Sequence, residues 1–549
     1  MSNNFYVRLP IFLAIAICAG IFVGAKMFGG HQSGTSDVSM NVAKIREILN
    51  YINNDYVDST NIDKLTDHAI KEMLQKLDPH TSYIPVEDMN STYATQLNSD
   101  IEGIGISFQI FRDTLNIESV VVGGPSEQAG MQSGDKIVQV NEETIAGVGL
   151  TNRGVFDRLR GKKGSKVKIG VTRKGINKIL TFNVVRAKIP QHSIDVAYMI
   201  DNKTGFIKIS RFGATVYDEF KTSLEKLLKQ GMKQIVIDLR DNGGGYMDRA
   251  INMADELIGG DRLIVYTDGK LDKYDEKYRT KNKGIFEQGA VIVLIDEESA
   301  SASEIMAGAL QDNDRALIVG RRSYGKGLVQ RPIDLNDGSE LRLTISRYYT
   351  PSGRSIQKPY VMGELDDYAH DYEQRVSHGE LFHADSNKLD QTKQYKTVKG
   401  RTVYGGGGIM PDHFVAVDTS HYSTYFTPQS ASSINESIIE TALLYATENK
   451  TKCLEMGIRN FVRDFQIDDE ILKKFVKMTN RQGVKYDEAG FEKSKNYIRN
   501  NIKAYIGRMV WDSEASFSVW NQHDEIVKKA LTLFGEASKL ENSKLAKGK

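Results

Sequence analysis

The sequence predicts a multidomain chain of α/β and α+β class: an N-terminal helical region, a small α+β module, an α/β core of mixed sheet and helices, and a helical C-terminal extension. Three observations carry this. The chain has 549 residues, too many for one core when domains run to roughly 100–200 residues. Its hydrophobic spacing changes from helical to short, glycine-separated β-rich runs and back to helical. Beyond Pro190 strands alternate with helical stretches, as an α/β core requires.

Taken in order, residues 11–25 form an almost unbroken apolar run, preceded by Arg8 and followed by Lys26 and the small residues Gly29 and Gly30. Such a run is a signal peptide or a signal anchor, and 9–28 is about long enough to span a bilayer. The weak cleavage site at Val23 and Ala25 favours an uncleaved anchor. The expectation is a transmembrane segment within 1–30 that tethers the chain to a membrane, with everything after it exported. Val42, Ile45, Ile48, Leu49 and Ile52, then Leu65, Ala69, Ile70, Met73, Leu74 and Leu77, mark two amphipathic helices in a region 40–98. Within 99–187, β-rich runs at 104–110, 115–122, 136–141, 166–172 and 180–185 are broken by short helices at 126–129 and 152–159, a compact α+β module.

The core, 188–415, takes strands at 205–209, 234–239, 290–295 and 316–319. Residues 339–346 alternate as a half-buried strand, with Leu341, Leu343 and Ile345 inward and Glu340, Arg342 and Thr344 outward. The polar stretch 366–401 reads as a surface insertion, and 430–549 as helices that either cover the core or mediate self-association.

Composition narrows the function. With 72 basic and 71 acidic residues the net charge is +1, against a nucleic-acid partner. The only cysteines are Cys18 and Cys453, so neither an exported disulfide nor a cysteine-rich zinc site is available, and no metal or cofactor is expected.

The densest chemical signal is Ser299-Ala300-Ser301-Ala302-Ser303-Glu304, at the turn from an apolar strand into a helix. Ser301 with Glu304 matches a capping box, the bland reading, but small residues on both sides would let a substrate backbone approach. The second signal is Tyr324-Gly325-Lys326-Gly327. Residues 320–326 nearly write a phosphate-binding loop, yet Gly327 stands where magnesium needs Ser or Thr. A solvated lysine in a turn is the commoner alternative. Lys326 acts as a base only if neutral, and desolvation is what depresses a lysine pKa, at a cost of roughly 4–5 kcal/mol to reach neutrality near pH 7. Neither a G-x-S-x-G elbow nor an H-E-x-x-H motif occurs, and none of the ten histidines pairs recognisably with a serine and an acid. A Ser/Lys pair remains. His80, in Asp78-Pro79-His80-Thr81, reads as a turn histidine.

Ser-Ala-Ser-Ala-Ser-Glu-Ile at 299–305, Asp312-Asn313, Tyr-Gly-Lys-Gly at 324–327 followed by Gln330, and Asp-Leu-Arg-Asp-Asn-Gly-Gly-Gly at 238–245 together resemble the carboxyl-terminal processing (tail-specific) proteases of the S41 family. The flanking 78–81 and 407–412 match as well, so the resemblance covers about residues 40–415. It implies an S41 protease core carrying an inserted PDZ domain, and an endopeptidase with Ser301 as nucleophile, Lys326 as general base and Gln330 holding the lysine amine. The oxyanion hole falls to the N–H of Ala302 and of a glycine in the run, Gly244 or else Gly243 or Gly245. Asp312 matches an acid sometimes placed in a charge relay, but a carboxylate beside Lys326 would raise the lysine pKa, so a structural role is expected. In the PDZ-like module, Gly103-Ile104-Gly105-Ile106 is the carboxylate-binding loop, or in the bland reading only a tight turn. Expected partners are proteins and peptides with exposed C-termini and, for the helical extension, a second copy of the chain; with the N-terminal anchor, the resemblance implies an inner-membrane tether and the periplasmic side of a bacterial cell envelope. The competing reading is a membrane-tethered, non-catalytic PDZ scaffold, which would have no use for the Ser-Lys-Gln set.

Overall fold

A six-stranded sheet lies at the centre of the α/β core, in spatial order Ile194–Met199, Thr204–Ile209, Gln234–Asp238, Val291–Ile295, Ala316–Gly320 and His413–Phe414. All neighbours are parallel except the first pair. Parallel strands buried on both faces read as continuous apolar runs, as in Val-Ile-Val-Leu-Ile at 291–295. Successive side chains divide between the faces. Ile235, Ile237, Val291, Val293 and Ile295 pack under the helices Val216–Lys229, Met247–Asp255 and Ala302–Asp312. Val236, Ile292, Leu294, Leu317 and Val319 pack under Glu525–Thr532 and Phe534–Asn542 at the end of the chain. Of the two roles open to the C-terminal helices, covering the core is the one seen.

This computed structural model describes residues 14, 20, 38–89, 100–121, 123–386 and 390–542. They divide into two compact units, Met1–Met73 and Leu74–Lys549. In the first, the helix Val38–Asp55 buries no residue, and Val42, Ile45 and Ile48 are exposed. In the second, a further sheet joins Ser82–Ile84, Leu263–Gly269, Lys277–Arg279, Leu328–Asp334 and Glu340–Tyr349. The alternation read along the last strand does not sort into inner and outer faces. Residues 340–345 are all half-buried, because Ser82–Ile84 and Leu328–Asp334 flank the strand and Thr344 turns onto Asp78 and Thr81.

The PDZ-like module is built on the strand order Ile106–Phe111, Thr114–Val120, Lys136–Val140, Lys166–Thr172 and Leu180–Val185. The helix Asn152–Leu159, capped by the Thr151 hydroxyl, packs Val155 and Leu159 into its core. An antiparallel ribbon, Asp100–Gly103 with Ala187–Pro190, leads in and out. The C-terminal bundle comprises Ala431–Met456, Ile458–Asp464, Asp469–Arg481, Glu488–Val510 and Ser513–Trp520. Asp468, Asp487, Asp512 and Asp524 each start a helix by accepting backbone N–H groups, the role for which short acidic side chains are favoured.

The expected membrane anchor requires correction. Apart from residues 14 and 20, the segment 9–28 lies outside the described residues. Among the described residues no helix is long and apolar enough to cross a membrane. Among the described residues, the three helices of sufficient length, Val38–Asp55, Ala431–Met456 and Glu488–Val510, all carry charged side chains. The inner-membrane tether and the periplasmic placement that rested on the anchor are withdrawn.

Candidate active site

Ser301 sits where the strand Val291–Ile295 turns into the helix Ala302–Asp312. The turn is stitched to the neighbouring strand end. Buried Ser299 donates from Oγ to the Leu239 carbonyl (2.8 Å), while Ala300 N–H and Ser303 Oγ both donate to the Asn242 carbonyl (3.0 and 2.8 Å). Held this way, Ser301 takes φ +55° and ψ −113°, a conformation that costs a non-glycine residue roughly 1–3 kcal/mol and persists only where the surroundings over-determine it. Gly244, at φ +96°, passes so close that a Cβ there would lie 2.8 Å from Ser301 Cβ and 2.9 Å from Ala302 N. Only glycine allows that approach.

Glu304, at the third position of the helix, gives the capping arrangement a second use. Its fully buried carboxylate accepts Ser301 N–H (2.9 Å) and Lys326 N–H (2.8 Å) on Oε2, and Gly325 N–H (2.7 Å) and the Ser323 hydroxyl (2.5 Å) on Oε1. One side chain thus joins the serine turn to the lysine loop. Burial raises its pKa to about 7, even though these four donors favour the ionised form. A second tie is the hydroxyl of Tyr348, within 2.8 Å of the Lys326 carbonyl and 3.2 Å of the Ser301 carbonyl.

The Lys326 amine donates to Gln330 Oε1 at 3.0 Å. Gln330 in turn donates through Nε2 to the His80 carbonyl. That carbonyl is fixed by a turn in which Asp78 accepts the N–H groups of His80 (2.8 Å) and Thr81 (2.9 Å). Burial pushes the Lys326 pKa below the ordinary lysine value, against the opposing pull of Glu304 and Asp78. Burial first, and then Lys326, lowers the His80 pKa to about 3, so its ring is neutral and paired with the Tyr368 hydroxyl at 2.7 Å. No hydrogen bond joins Ser301 Oγ to Lys326 Nζ directly; their two loops are held together by Glu304 and Tyr348.

Of the residues singled out from the sequence, Ser301, Ala302, Lys326, Gln330 and Gly244 gather here. Gly244 N–H, however, is taken by Asn242 Oδ1 (2.9 Å). The N–H groups of Gly243 and Gly245 have no acceptor among the described residues. Asp312 lies at the far end of its helix, paired with Arg354 at 2.7 Å, both side chains fully buried. Sequence reasoning missed Tyr348, Asn242 and the tethering role of Glu304. The stretch 366–401 is more than surface: buried Arg375 donates to the Arg322 and Ser323 carbonyls (2.6 and 3.3 Å) and shares Glu380 with Arg322, supporting the lysine loop from behind.

In the PDZ-like module, Gly103, Ile104, Gly105 and Ile106 line a cleft of about 390 Å³ with Phe108, Val155, Phe156, Leu159 and Arg160. Ile104 and Gly105 N–H have no acceptor among the described residues. Arg160 lies over the Phe156 ring at 4.3 Å.

The model of peptidase family S41 matches residues 203–366, that of the PDZ domain 103–184, and that of a family of unknown function, DUF8443, 433–512. The carboxy-terminal processing protease CtpA of Bacillus subtilis is 32% identical over 370 residues, covering 66% of this chain and 78% of that protein. The carboxy-terminal-processing protease of Bartonella bacilliformis is 33% identical over 354 residues, 62% and 80% of the two chains. A solved photosystem II D1 C-terminal processing protease is 28% identical with a TM-score of 0.33, covering 57% of this chain and 83% of that one. The S41 and PDZ models and the two carboxy-terminal processing relatives from Bacillus subtilis and Bartonella bacilliformis show that the chain belongs to the S41 peptidases, as a PDZ-containing member of the carboxy-terminal processing serine proteases.

Proposed function

We propose that the chain is a Ser/Lys endopeptidase that reads substrate C-termini in its PDZ cleft and cuts with Ser301 as nucleophile and Lys326 as general base. The observation that carries this is the state of the lysine: a buried amine with its pKa held below the ordinary value, bonded to Gln330, on a loop tied to the serine turn by Glu304. Desolvation supplies the neutral amine that a base needs. Lys326 Nζ takes the Ser301 Oγ proton as Oγ attacks the peptide carbonyl, a contact that tightens once substrate is bound. The resulting ammonium returns the proton to the leaving amine, and water then resolves the acyl-enzyme with the same amine as base.

The oxyanion is held by Ala302 N–H together with Gly243 or Gly245 N–H, since Gly244 N–H is already spent on Asn242. Donors of this kind contribute ~3–4 kcal/mol to the transition state. In the PDZ cleft, the Ile104 and Gly105 N–H groups bind the terminal carboxylate while the strand Ile106–Phe111 pairs with an extended, apolar tail. The test compares wild type with Ser301→Ala and Lys326→Ala on an unfolded protein ending in an apolar tail. Both variants should bind the tail and fail to cut. Cleavage by Lys326→Ala at the wild-type rate would remove the lysine from the mechanism.

A further inference from the structure

The matched family of unknown function, residues 433–512, has a position that suggests a use. Phe111, at the tip of the PDZ hairpin, contributes nothing to the module's own core and is buried instead in the C-terminal bundle. Around it, Arg112 pairs with Glu440 (2.7 Å), Lys174 with Glu448 (2.5 Å) and buried Glu118 with Arg508 (3.3 Å). Gly134 lies directly against Thr447, whose Oγ1 would be 2.6 Å from a Cβ at that position. These contacts come from the helices Ala431–Met456 and Glu488–Val510. None of the PDZ residues involved lines the cleft at Gly103–Ile106.

At its other end the same bundle is fixed to the catalytic core. Asn521 donates to the Tyr198 hydroxyl (2.9 Å), and Asp524 pairs with Arg240 (2.7 Å), three residues before Gly243 of the glycine run. The helices that follow cover one face of the central sheet.

We propose that the C-terminal bundle is a clamp that locks the PDZ module to the catalytic core and so fixes the span between the tail-reading cleft and Ser301. The ribbon Asp100–Gly103/Ala187–Pro190 is a hinge-like connection, and a module held by it alone would sample a range of distances. With Phe111 seated, each substrate is cut at a set distance from its C-terminus. The fixed cutting distance rests on the tail-reading proposal above, whereas the clamp itself does not.

The test uses the full chain and two changes remote from both sites. Phe111→Ser removes the apolar anchor, and Arg112→Glu reverses one ion pair, which Glu440→Arg then restores in the opposite sense. Amide hydrogen exchange across 106–120 should rise roughly tenfold in each single variant and return toward wild type in the charge-swapped pair. Mass spectrometry of products from a tailed unfolded protein should show one dominant cut in wild type and the swapped pair, and several in the single variants. Unchanged exchange in both single variants, or a swapped pair no better than Arg112→Glu, overturns the clamp. If exchange responds as expected but wild type cuts tailed and C-terminally amidated substrates alike, the clamp stands and the tail-reading proposal falls.

Discussion

Replacing Tyr348 with phenylalanine removes one oxygen from the interior and tests whether catalysis depends on the tie between the two loops. The side chain is 1% exposed, and burial raises its pKa well above the ordinary value, so the hydroxyl stays protonated over any working range. Its single proton serves two carbonyls unequally. Ser301 O also accepts Ile305 N–H at 2.9 Å, whereas Lys326 O, at 2.8 Å, has Tyr348 as its donor. The substitution therefore strands the Lys326 carbonyl, at a cost of about 1–3 kcal/mol in stability. The loop can recover a partner only by moving, and a displacement on the order of 1 Å costs up to ~10²-fold in rate when it misplaces a reacting group. The expected result is kcat reduced roughly 10- to 100-fold with KM within about twofold. Because Tyr348 carries no charge, the midpoint of the pH–rate profile should not move. Steady-state kinetics on a tailed peptide, together with urea unfolding, separates the effects. Lost stability with unchanged kcat would refute the reasoning, leaving Tyr348 as a core residue only.

Glu304→Gln removes a negative charge that raises the lysine pKa, so the acidic limb of kcat/KM should shift to lower pH, even as lost hydrogen bonds reduce the plateau. The same variant bears on stability. Glu304 titrates at about 7 when folded against an ordinary 4.5, so the native state holds the extra proton between these values. Its contribution is full below 4.5 and is lost as pH rises through 7, a decline that urea unfolding should no longer detect in Glu304→Gln. Gln330→Glu would place a carboxylate on the lysine amine and should move the acidic limb to higher pH, whereas Gln330→Ala should lower kcat without that shift. Asp312→Asn leaves the buried Arg354 guanidinium without its counter-charge; it should cost about 3–5 kcal/mol in unfolding experiments while leaving the pH–rate midpoint of the folded enzyme in place.

What the sequence made legible follows the range of the interactions involved. Buried parallel strands announce themselves as apolar runs, and Val-Ile-Val-Leu-Ile at 291–295 lies at the centre of the sheet as its composition requires. The glycine and small-residue motifs around Ser301 and Lys326 are local and could be read as they stand. Tyr348 could not, because its partners lie 47 and 22 residues away and nothing in a strand pattern marks one hydroxyl as a bridge. The strand Glu340–Tyr349 departs from its pattern for a related reason: alternation presumes one buried and one wet face, whereas residues 340–345 are all half-buried and the outward-reading Thr344 bonds to Asp78 and Thr81 from a distant turn. Gly244 was chosen from a run of three glycines with equal claims. The choice turns on the Asn242 side chain, whose amide oxygen reaches two residues ahead in a turn that composition does not reveal.

The electrostatics of Lys326 contain the most instructive reversal. A carboxylate near a basic lysine works against it, and in the sequence Asp312 stands out as the acid to which this applies. Asp312, at the C-terminal end of its helix, is paired with Arg354 and accepts hydrogen bonds from the Thr350 hydroxyl and the Ser352 N–H. The carboxylates that do act on Lys326 are Glu304 first and then Asp78, and the sequence offered Glu304 only as a helix cap. Its presence is tolerable because its charge is turned toward backbone rather than toward the amine. Three main-chain N–H groups and one hydroxyl take up both oxygens, while the lysine amine faces Gln330. Burial, which pushes the lysine toward neutrality, pushes Glu304 the same way, to about 7. One desolvated site thus prepares the base and weakens the charge that opposes it, so a residue needed to hold the two loops together does so without cancelling the chemistry between them.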